Sequence, residues 1–296
     1  MSFKDSCLLK SGEVEVDETE ITLRKETSVG REAQIVSQPN INNITMKFET
    51  KIQIDATIID YVSDMIILFD GRLVVVESMG IVNILTSDGK PQKQLRPPNA
   101  GGAWSVTQIK LDTIAVTYPN LKTIMMLNIE NETTTKVIKL DKRCYGLSFS
   151  NNAIVVGLGK NEIRIIDLEG NTQKSIEVQS ESQLKYLVHW KDRVVYGDLG
   201  GKAVNCIDRS GKQIWQYQQD AIGPRGLCTD TYGNIIVADV YSDRLIVISK
   251  DGQESKVLIS VEGGMPMCIC LNESSGFIGT NLLGSICIAK FNISYE

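Results

Sequence analysis

The sequence predicts an all-β chain that folds as a six-bladed β-propeller. A two-residue turn signal follows a β-rich run at intervals of 39 to 42 residues. It occurs as Asp88-Gly89, Glu130-Asn131, Glu169-Gly170, Ser210-Gly211 and Asp251-Gly252, and the turn-like Asn292-Ile293-Ser294 continues the spacing. Helical periodicity is nearly absent, and 24 glycines suit a chain of many short turns. A repeat of about forty residues with four β-rich runs is typical of a propeller blade.

Residues 225–260 show the predicted order of strands within one unit. Short apolar runs occur at residues 226–230, 234–239, 244–248 and 256–259, separated by turn residues. Aligned with this unit, the second strands of the others are residues 72–77, 113–118, 153–158, 193–198 and 276–281. Their third strands are residues 81–86, 123–129, 162–168, 203–208 and 285–291.

The last unit lacks a fourth strand. Before the first unit, residues 45–54 alternate between apolar and polar side chains, as a strand with one covered face does. We expect this segment to be the outer strand of the sixth blade, closing the ring and removing an open sheet edge. The propeller is thus predicted to span residues 45–296. Residues 1–44, with eight acidic against five basic side chains, are predicted to be a partly ordered linker.

Composition excludes several classes of protein. With 42% apolar and 23% charged residues, the chain is ordinary for a globular protein. A net charge of −5 does not favour DNA or an anionic membrane as a partner. The seven cysteines are an odd number in a chain large enough to form a core without disulfides, which indicates a reducing compartment. Because residues 1–16 contain no signal-peptide core, we expect a cytoplasmic protein.

One unit resembles a known repeat. Residues 223–239, GPRGLCTDTYGNIIVAD, resemble an NHL repeat, in which a glycine, an aspartate, a Gly-Asn pair and a final aspartate stand at fixed spacings. The other units fit more loosely, with recognisable pieces at residues 146–149 and 162–167. Residues 12–54 also resemble the linker that precedes the propeller in tripartite-motif, or TRIM-NHL-like, proteins. The resemblance covers most of the chain and implies a six-bladed propeller that presents one face to substrates or RNA.

The resemblance also implies modules that this sequence does not carry. Ubiquitin transfer in TRIM-NHL-like proteins resides in an N-terminal RING, followed by B-boxes and a coiled coil, and a RING needs closely spaced Cys and His ligands for zinc. Here the seven cysteines are scattered from Cys7 to Cys287, the single histidine is His189, and there is no heptad segment. We therefore expect a non-enzymatic scaffold that recruits a protein partner or substrate in the ubiquitin pathway without transferring ubiquitin itself.

Two enzymatic alternatives are weaker. His189 lies in an aromatic strand without a G-x-S-x-G elbow, which favours a structural role over a catalytic triad. Six-bladed propellers that resemble this one include calcium-dependent lactonases and esterases, and the oxygen ligands available here are Glu77, Asp198, Asp239 and Asn281. Asp198 and Asp239 end a strand, where each is expected to bond its own turn. No catalytic residue, metal or cofactor is therefore predicted.

RNA binding is the other alternative. The loops between second and third strands and the connections between blades are expected to share one end of the propeller, where they carry eight basic and eight acidic residues. Because phosphate contacts supply most of the affinity for nucleic acid, this balance predicts only weak RNA binding. A basic stripe formed by Lys142, Arg143, Lys160 and Lys185 on the second to fourth blades would overturn that prediction.

A protein partner is the favoured ligand of this end of the propeller. Trp, Tyr and Arg side chains dominate binding at protein interfaces. The predicted partner-binding residues are Trp104, Tyr118, Arg143, Tyr145, Arg225 and Tyr241. The connection at residues 96–102, with two prolines and two glycines, is a candidate rigid binding loop at the same end.

Overall fold

The computed structural model describes residues 40–52, 61–97, 101–219, 222–261, 264–282 and 285–295. Over these residues the chain forms 24 strands in six four-stranded antiparallel sheets, each of which is one propeller blade. The predicted all-β, six-bladed fold is therefore confirmed. Two short 3-10 helices, Ile41–Asn43 and Pro119–Leu121, accompany the strands. The predicted linker lies mostly outside the described residues, as does the centre of the proposed rigid loop, residues 98–100.

Five blades are meanders of four consecutive strands, in which the first strand is innermost, and the sixth combines strands from both ends of the chain. The first strand along the chain is β1 (Ile44–Ile52). The first blade consists of β2 (Val62–Ile67), β3 (Leu73–Glu77), β4 (Val82–Leu85) and β5 (Pro91–Leu95). The second consists of β6 (Val106–Lys110), β7 (Thr113–Tyr118), β8 (Thr123–Asn128) and β9 (Thr133–Lys139). The third consists of β10 (Cys144–Ser150), β11 (Ala153–Leu158), β12 (Glu162–Ile166) and β13 (Thr172–Glu177).

The remaining blades continue the pattern around the ring. The fourth consists of β14 (Leu187–Trp190), β15 (Arg193–Asp198), β16 (Ala203–Asp208) and β17 (Gln213–Gln218). The fifth consists of β18 (Pro224–Thr229), β19 (Ile235–Asp239), β20 (Arg244–Ile248) and β21 (Ser255–Ser260). The sixth contains β22 (Met265–Asn272), β23 (Ser275–Leu282) and β24 (Ser285–Tyr295), with β1 as its outermost strand.

The sixth blade closes the ring. Strand β1 pairs antiparallel with β24, with Ile44 opposite Tyr295, so the predicted closure is confirmed over residues 45–52, while residues 53–54 lie outside the described residues. The fifth blade also binds the start of β1, because Lys256 Nζ donates to the carbonyl oxygens of Asn42 at 2.7 Å and Ile44 at 2.8 Å. Closure joins the two ends of the propeller and gives the sixth blade its fourth strand.

The middle strands of each blade are apolar on both faces because a neighbouring blade covers each face. Strand β11 is buried at all its positions, whereas the outer strand β13 buries only Ile176. Strands covered on both sides are continuous apolar runs rather than alternating ones. Closure completes such a core, since Ile44 of β1 and Phe291 of β24 are both buried between the fifth and sixth blades.

No helix in the described ranges is long and apolar enough to cross a membrane. The six cysteines within these ranges are free thiols. Burial raises the pKa of Cys206 to about 11 and that of Cys144 to about 12. Both thiols are therefore protonated and poor nucleophiles at neutral pH.

Candidate functional site

The six inner strands surround a central channel. Each inner strand contacts the next, and β22 contacts β2, so the ring of inner strands is closed. Near the start of each inner strand stands one large side chain, at intervals of 39 to 43 residues. These six side chains and one adjacent lysine, here called the mouth cluster, are Tyr61, Trp104, Tyr145, Lys185, Tyr186, Arg225 and Met267.

The mouth cluster lies at one end of the propeller, here called the loop face. The connections between blades and the loops between second and third strands meet at this end. Backbone hydrogen bonds join the end of the second strand to the start of the inner strand in the same blade. Ser78 after β3 donates to the Tyr61 carbonyl at 2.8 Å, and Gly197 in β15 donates to the Tyr186 carbonyl at 3.0 Å. The bonds that match Ser78–Tyr61 in the third and fifth blades run from Gly159 to the Arg143 carbonyl and from Val240 to the Gly223 carbonyl. Each ends two residues before the cluster side chain of its blade, so the cluster residues occupy similar but not identical positions.

Trp104 is the centre of the mouth cluster. Its ring centroid lies 6.4 Å from that of Tyr61, 6.1 Å from that of Tyr145 and 6.1 Å from that of Tyr186. Its indole Nε1 donates to the backbone carbonyl of Lys185 at 3.1 Å, which fixes the ring plane. Trp104 thus lies near both Tyr61, which precedes the inner strand of the first blade, and Tyr186, which precedes that of the fourth. The cluster therefore bridges the mouth of the channel.

Two cations are built into this aromatic cluster. The Lys185 ammonium lies 4.3 Å from the centroid of the Trp104 ring, and the Arg225 guanidinium carbon lies 5.9 Å from that of Tyr61. Both are cation–π contacts. Arg225 Nη1 also donates to the Tyr61 hydroxyl and, at 3.5 Å, to Met267 Sδ. Burial, together with the nearby charge of Arg225, lowers the pKa of Lys185.

A buried carboxylate lies deeper in the channel. A cavity of about 220 Å³ is lined by inner-strand residues that include Asp64 and Ser105. Asp64 Oδ2 accepts hydrogen bonds from Ser105 Oγ at 2.6 Å and from the Val106 backbone nitrogen at 3.0 Å, while Ser105 Oγ accepts from the Leu147 nitrogen at 3.1 Å. This network ties together the first three blades. Burial raises the pKa of Asp64 to about 6.

The structure brings together half of the predicted partner-binding residues. Trp104, Tyr145 and Arg225 belong to the mouth cluster. Arg143 and Tyr241 are exposed on the same loop face but outside the cluster. Tyr118 is fully buried in the core between the first two blades, where its side chain offers no surface to a partner. The reason is its position at the end of β7, a strand that neighbouring blades cover on both sides.

Sequence reasoning missed Tyr61, Tyr186 and Met267, and it counted Lys185 only as a surface charge. The signal that would have found them is their spacing along the repeat. Each stands at the entrance of an inner strand, one repeat away from a residue that was already singled out. Side-chain type alone hides this spacing, because a methionine and an arginine occur in the series together with aromatic residues.

Two of the carboxylates considered as calcium ligands, Asp198 and Asp239, accept hydrogen bonds from the connections between blades. Asp198 accepts hydrogen bonds from the backbone nitrogen and the hydroxyl of Ser182, at 3.0 and 2.7 Å. Asp239 accepts from the Gly223 nitrogen at 2.7 Å and from Arg244 Nε at 3.0 Å. Both therefore fix the connection that precedes their blade. Asp239 also accepts from the Tyr241 nitrogen at 3.3 Å, within its own turn, as the sequence predicts. Within the described residues, no group of three or more His, Cys, Asp or Glu side chains is placed to hold a metal ion.

The structure also shows the surroundings of the single histidine and of the possible basic stripe. His189 is buried in β14, and burial lowers the pKa of its imidazole, so the ring is neutral at neutral pH. Of the possible basic stripe, Lys142 forms an ion pair with Glu162 at 2.6 Å. Glu162 pairs at the same time with Arg164 at 2.7 Å. The stripe is therefore partly neutralised on the third blade.

Fold and site together define a six-bladed β-propeller with an aromatic and cationic cluster at one mouth of its channel. A streptogramin B lyase structure is 14% identical, with a TM-score of 0.60, covering 87% of this chain and 100% of that one. A PQQ-bound aldose sugar dehydrogenase from Streptomyces coelicolor is 11% identical, with a TM-score of 0.71 and the same shares covered. A catalytically inactive virginiamycin B lyase from Staphylococcus aureus, solved with quinupristin, is 14% identical, with a TM-score of 0.62 over 84% and 99% of the two chains. At these identities the likeness concerns the fold alone.

Sequence comparisons add no family assignment. No protein-family model matches the chain, and no curated protein is significantly similar to it. The resemblance to NHL repeats and to TRIM-NHL-like proteins therefore stays a prediction. In residues 223–239, Asp230 accepts hydrogen bonds from the backbone and side chain of Asn234, both at 2.8 Å, and Asp167 holds Asn171 in the same way.

Proposed function

We propose that this chain is a non-enzymatic interaction module that recruits a protein partner through its loop face. The observation that carries the proposal is the mouth cluster, in which half-buried Trp104 and Arg225 stand among tyrosines on a rigid ring. Aromatic and arginine side chains held in place by a scaffold lose little conformational freedom on binding and are the usual anchors of protein interfaces. The rest of the loop face has to supply complementary surface around them.

That surface has an apolar rim. Four large hydrophobic side chains on the loop face are exposed, and they come from four successive blades, the fifth, sixth, first and second. These rim residues are Tyr241 (55% exposed), Met265 (47%), Met79 (66%) and Leu121 (41%). Exposed apolar groups arranged around a polar and aromatic centre mark a binding surface. Methionine adapts its shape to different partners, which suits a recruiting surface.

The state of the polar residues supports a binding role over catalysis. Asp198 and Asp239 are used in hydrogen bonds to the connections between blades, and His189 is buried and neutral. A catalytic centre needs acid, base or nucleophile groups that converge on a substrate. The fold neighbours that act as enzymes share too little sequence to transfer their chemistry to this chain.

The finer part of the proposal places this module in the ubiquitin pathway, as the substrate-recruiting propeller of a cytoplasmic TRIM-NHL-like protein. Its support is the resemblance of residues 223–239 to an NHL repeat and of residues 12–54 to the linker in that family. In such an arrangement the loop face captures the substrate, and a separate module transfers ubiquitin.

Affinity capture with matched variants tests the proposal. The double variant Arg143→Glu/Tyr241→Ala alters the loop face at two exposed positions, and Phe69→Ala/Leu111→Ala alters two side chains, each 71% exposed, at the opposite end. We expect the first variant to lose the protein partners of the wild type and the second to keep them. Retention of every partner by the loop-face variant would contradict the proposal. Partners released by ribonuclease would indicate RNA as the ligand instead.

A further inference from the structure

The mouth cluster carries two positive charges without a negative partner. Among the described residues, neither Lys185 nor Arg225 forms an ion pair, whereas other cations of the loop face, such as Lys142 and Arg244, are paired with carboxylates. The two charges are close enough that Arg225 influences the titration of Lys185. Like charges held in the same half-buried cluster cost free energy, and a bound anion would offset that cost.

Arg225 has donors to spare. A guanidinium offers five N–H groups. The described contacts use Nη1, toward the Tyr61 hydroxyl and Met267 Sδ, while Nε is buried without a hydrogen-bond partner. The tyrosine and the methionine orient the planar group but leave its charge uncompensated. A planar guanidinium fork matches the two oxygens of a carboxylate.

We propose that the mouth cluster is a carboxylate-binding site that takes an aspartate, glutamate or C-terminal carboxylate of the recruited protein between Lys185 and Arg225, an assignment that rests on the proposed function. The rings of Trp104 and Tyr61 form the walls of the site and contact the apolar groups next to the carboxylate. Desolvation by these walls strengthens the charge-assisted hydrogen bonds to the bound oxygens.

The surroundings favour one carboxylate over a polyanion. The chain carries a net charge of −5, and on the neighbouring third blade Lys142 is already neutralised by Glu162. Nucleic acid gains affinity by neutralising many phosphates along a charged track. Two cations enclosed by aromatic and apolar side chains suit a single negative charge attached to an apolar or aromatic group.

The site has a built-in reporter. The chain contains three tryptophans, so protein labelled with ¹⁵N-tryptophan gives three indole signals. The Trp104 indole N–H is bonded to the Lys185 carbonyl and responds to any movement of that residue, while Trp215 donates to the Lys250 carbonyl in a different part of the propeller and serves as an internal control. Trp104→Phe assigns the signal. The probes are benzoate, benzamide as its uncharged counterpart, inorganic phosphate and poly(U).

We expect benzoate to shift the Trp104 signal saturably, with a dissociation constant on the order of 1 mM, and benzamide to leave it in place. Arg225→Gln and Lys185→Gln should each weaken benzoate binding about tenfold. Lys160→Gln, an exposed cation of the same face, should not change it. An unchanged Trp215 signal in each variant shows that the variant is folded.

Different results would contradict the carboxylate site and the proposed function. No Trp104 shift with benzoate, an equal shift with benzamide, or an undiminished shift in Arg225→Gln would overturn the carboxylate site. Phosphate or poly(U) binding more tightly than benzoate through Arg225 would assign the site to phosphate or RNA instead. Benzoate binding to a protein that captures no partner contradicts the proposed function and leaves the carboxylate site standing. Capture through Tyr241 without benzoate binding contradicts the carboxylate site alone.

Discussion

The buried carboxylate of Asp64 makes the stability of the propeller depend on pH. Burial raises the pKa of this group from its ordinary value of 3.8 to about 6. A carboxyl with a higher pKa in the folded state binds a proton more readily folded than unfolded. It therefore contributes stability at low pH that is lost as the pH rises from about 4 through about 6. A difference of about 2 pKa units corresponds to about 3 kcal/mol of unfolding free energy.

Asp64→Asn removes this titration. We expect the unfolding free energy, measured with urea, to fall by about 3 kcal/mol more in the wild type than in the variant between about pH 4 and about pH 7. Ser105→Ala provides a second perturbation, because the Ser105 hydroxyl lowers the pKa of Asp64 by donating to it. Its loss should move the decline of stability to higher pH. Parallel pH profiles for the wild type and Asp64→Asn would refute the reasoning.

Three further outcomes follow from packing and charge. Phe291→Ala empties a fully buried site in the closing blade and should cost about 3–5 kcal/mol in urea unfolding, whereas Phe48→Ala, 39% exposed on β1, should cost less than about 1 kcal/mol. Gly252→Ala should lower the free energy of unfolding by at least about 1 kcal/mol, because φ is +74° and a Cβ would lie 2.5 Å from Trp215 Cγ. An unchanged midpoint of urea unfolding would contradict this. Poly(U) should bind only weakly at physiological salt, with a dissociation constant of about 10⁻⁴–10⁻⁶ M by fluorescence anisotropy, since Lys142 is paired; nanomolar binding contradicts it.

The fold was predictable because buried strands are recognisable in the sequence as short apolar runs. The predicted second strands at residues 113–118, 153–158 and 193–198 coincide with β7, β11 and β15, since strands covered on both faces are mainly apolar. Inner strands were harder to delimit. The fifth begins at Pro224, two residues before the predicted start, because an irregularity in its pairing with β19 extends the ladder past Gly226.

The site was only partly predictable because membership depends on which way a side chain points, toward the channel or toward the core between blades, and residue type does not reveal this. Tyr118 and Trp104 are both aromatic residues near loops, yet one faces the core between blades and the other faces the channel. The balance of eight basic and eight acidic residues does not locate the site, since formal charges do not reveal which side chains are paired. Asp239 is neutralised by Arg244, whereas Lys185 stands beside a second cation.

Site-specific photo-crosslinking tests the central claim most directly. A benzophenone-bearing phenylalanine replaces Tyr241 or Met79 on the loop face, or Phe69 or Leu111 at the opposite end, all exposed positions. After illumination in cells, crosslinked species are separated and treated with ribonuclease or protease. We predict protein adducts from positions 241 and 79, and few from 69 and 111. Adducts of equal yield from both ends, or adducts on the loop face that only ribonuclease removes, would contradict recruitment of a protein through this face.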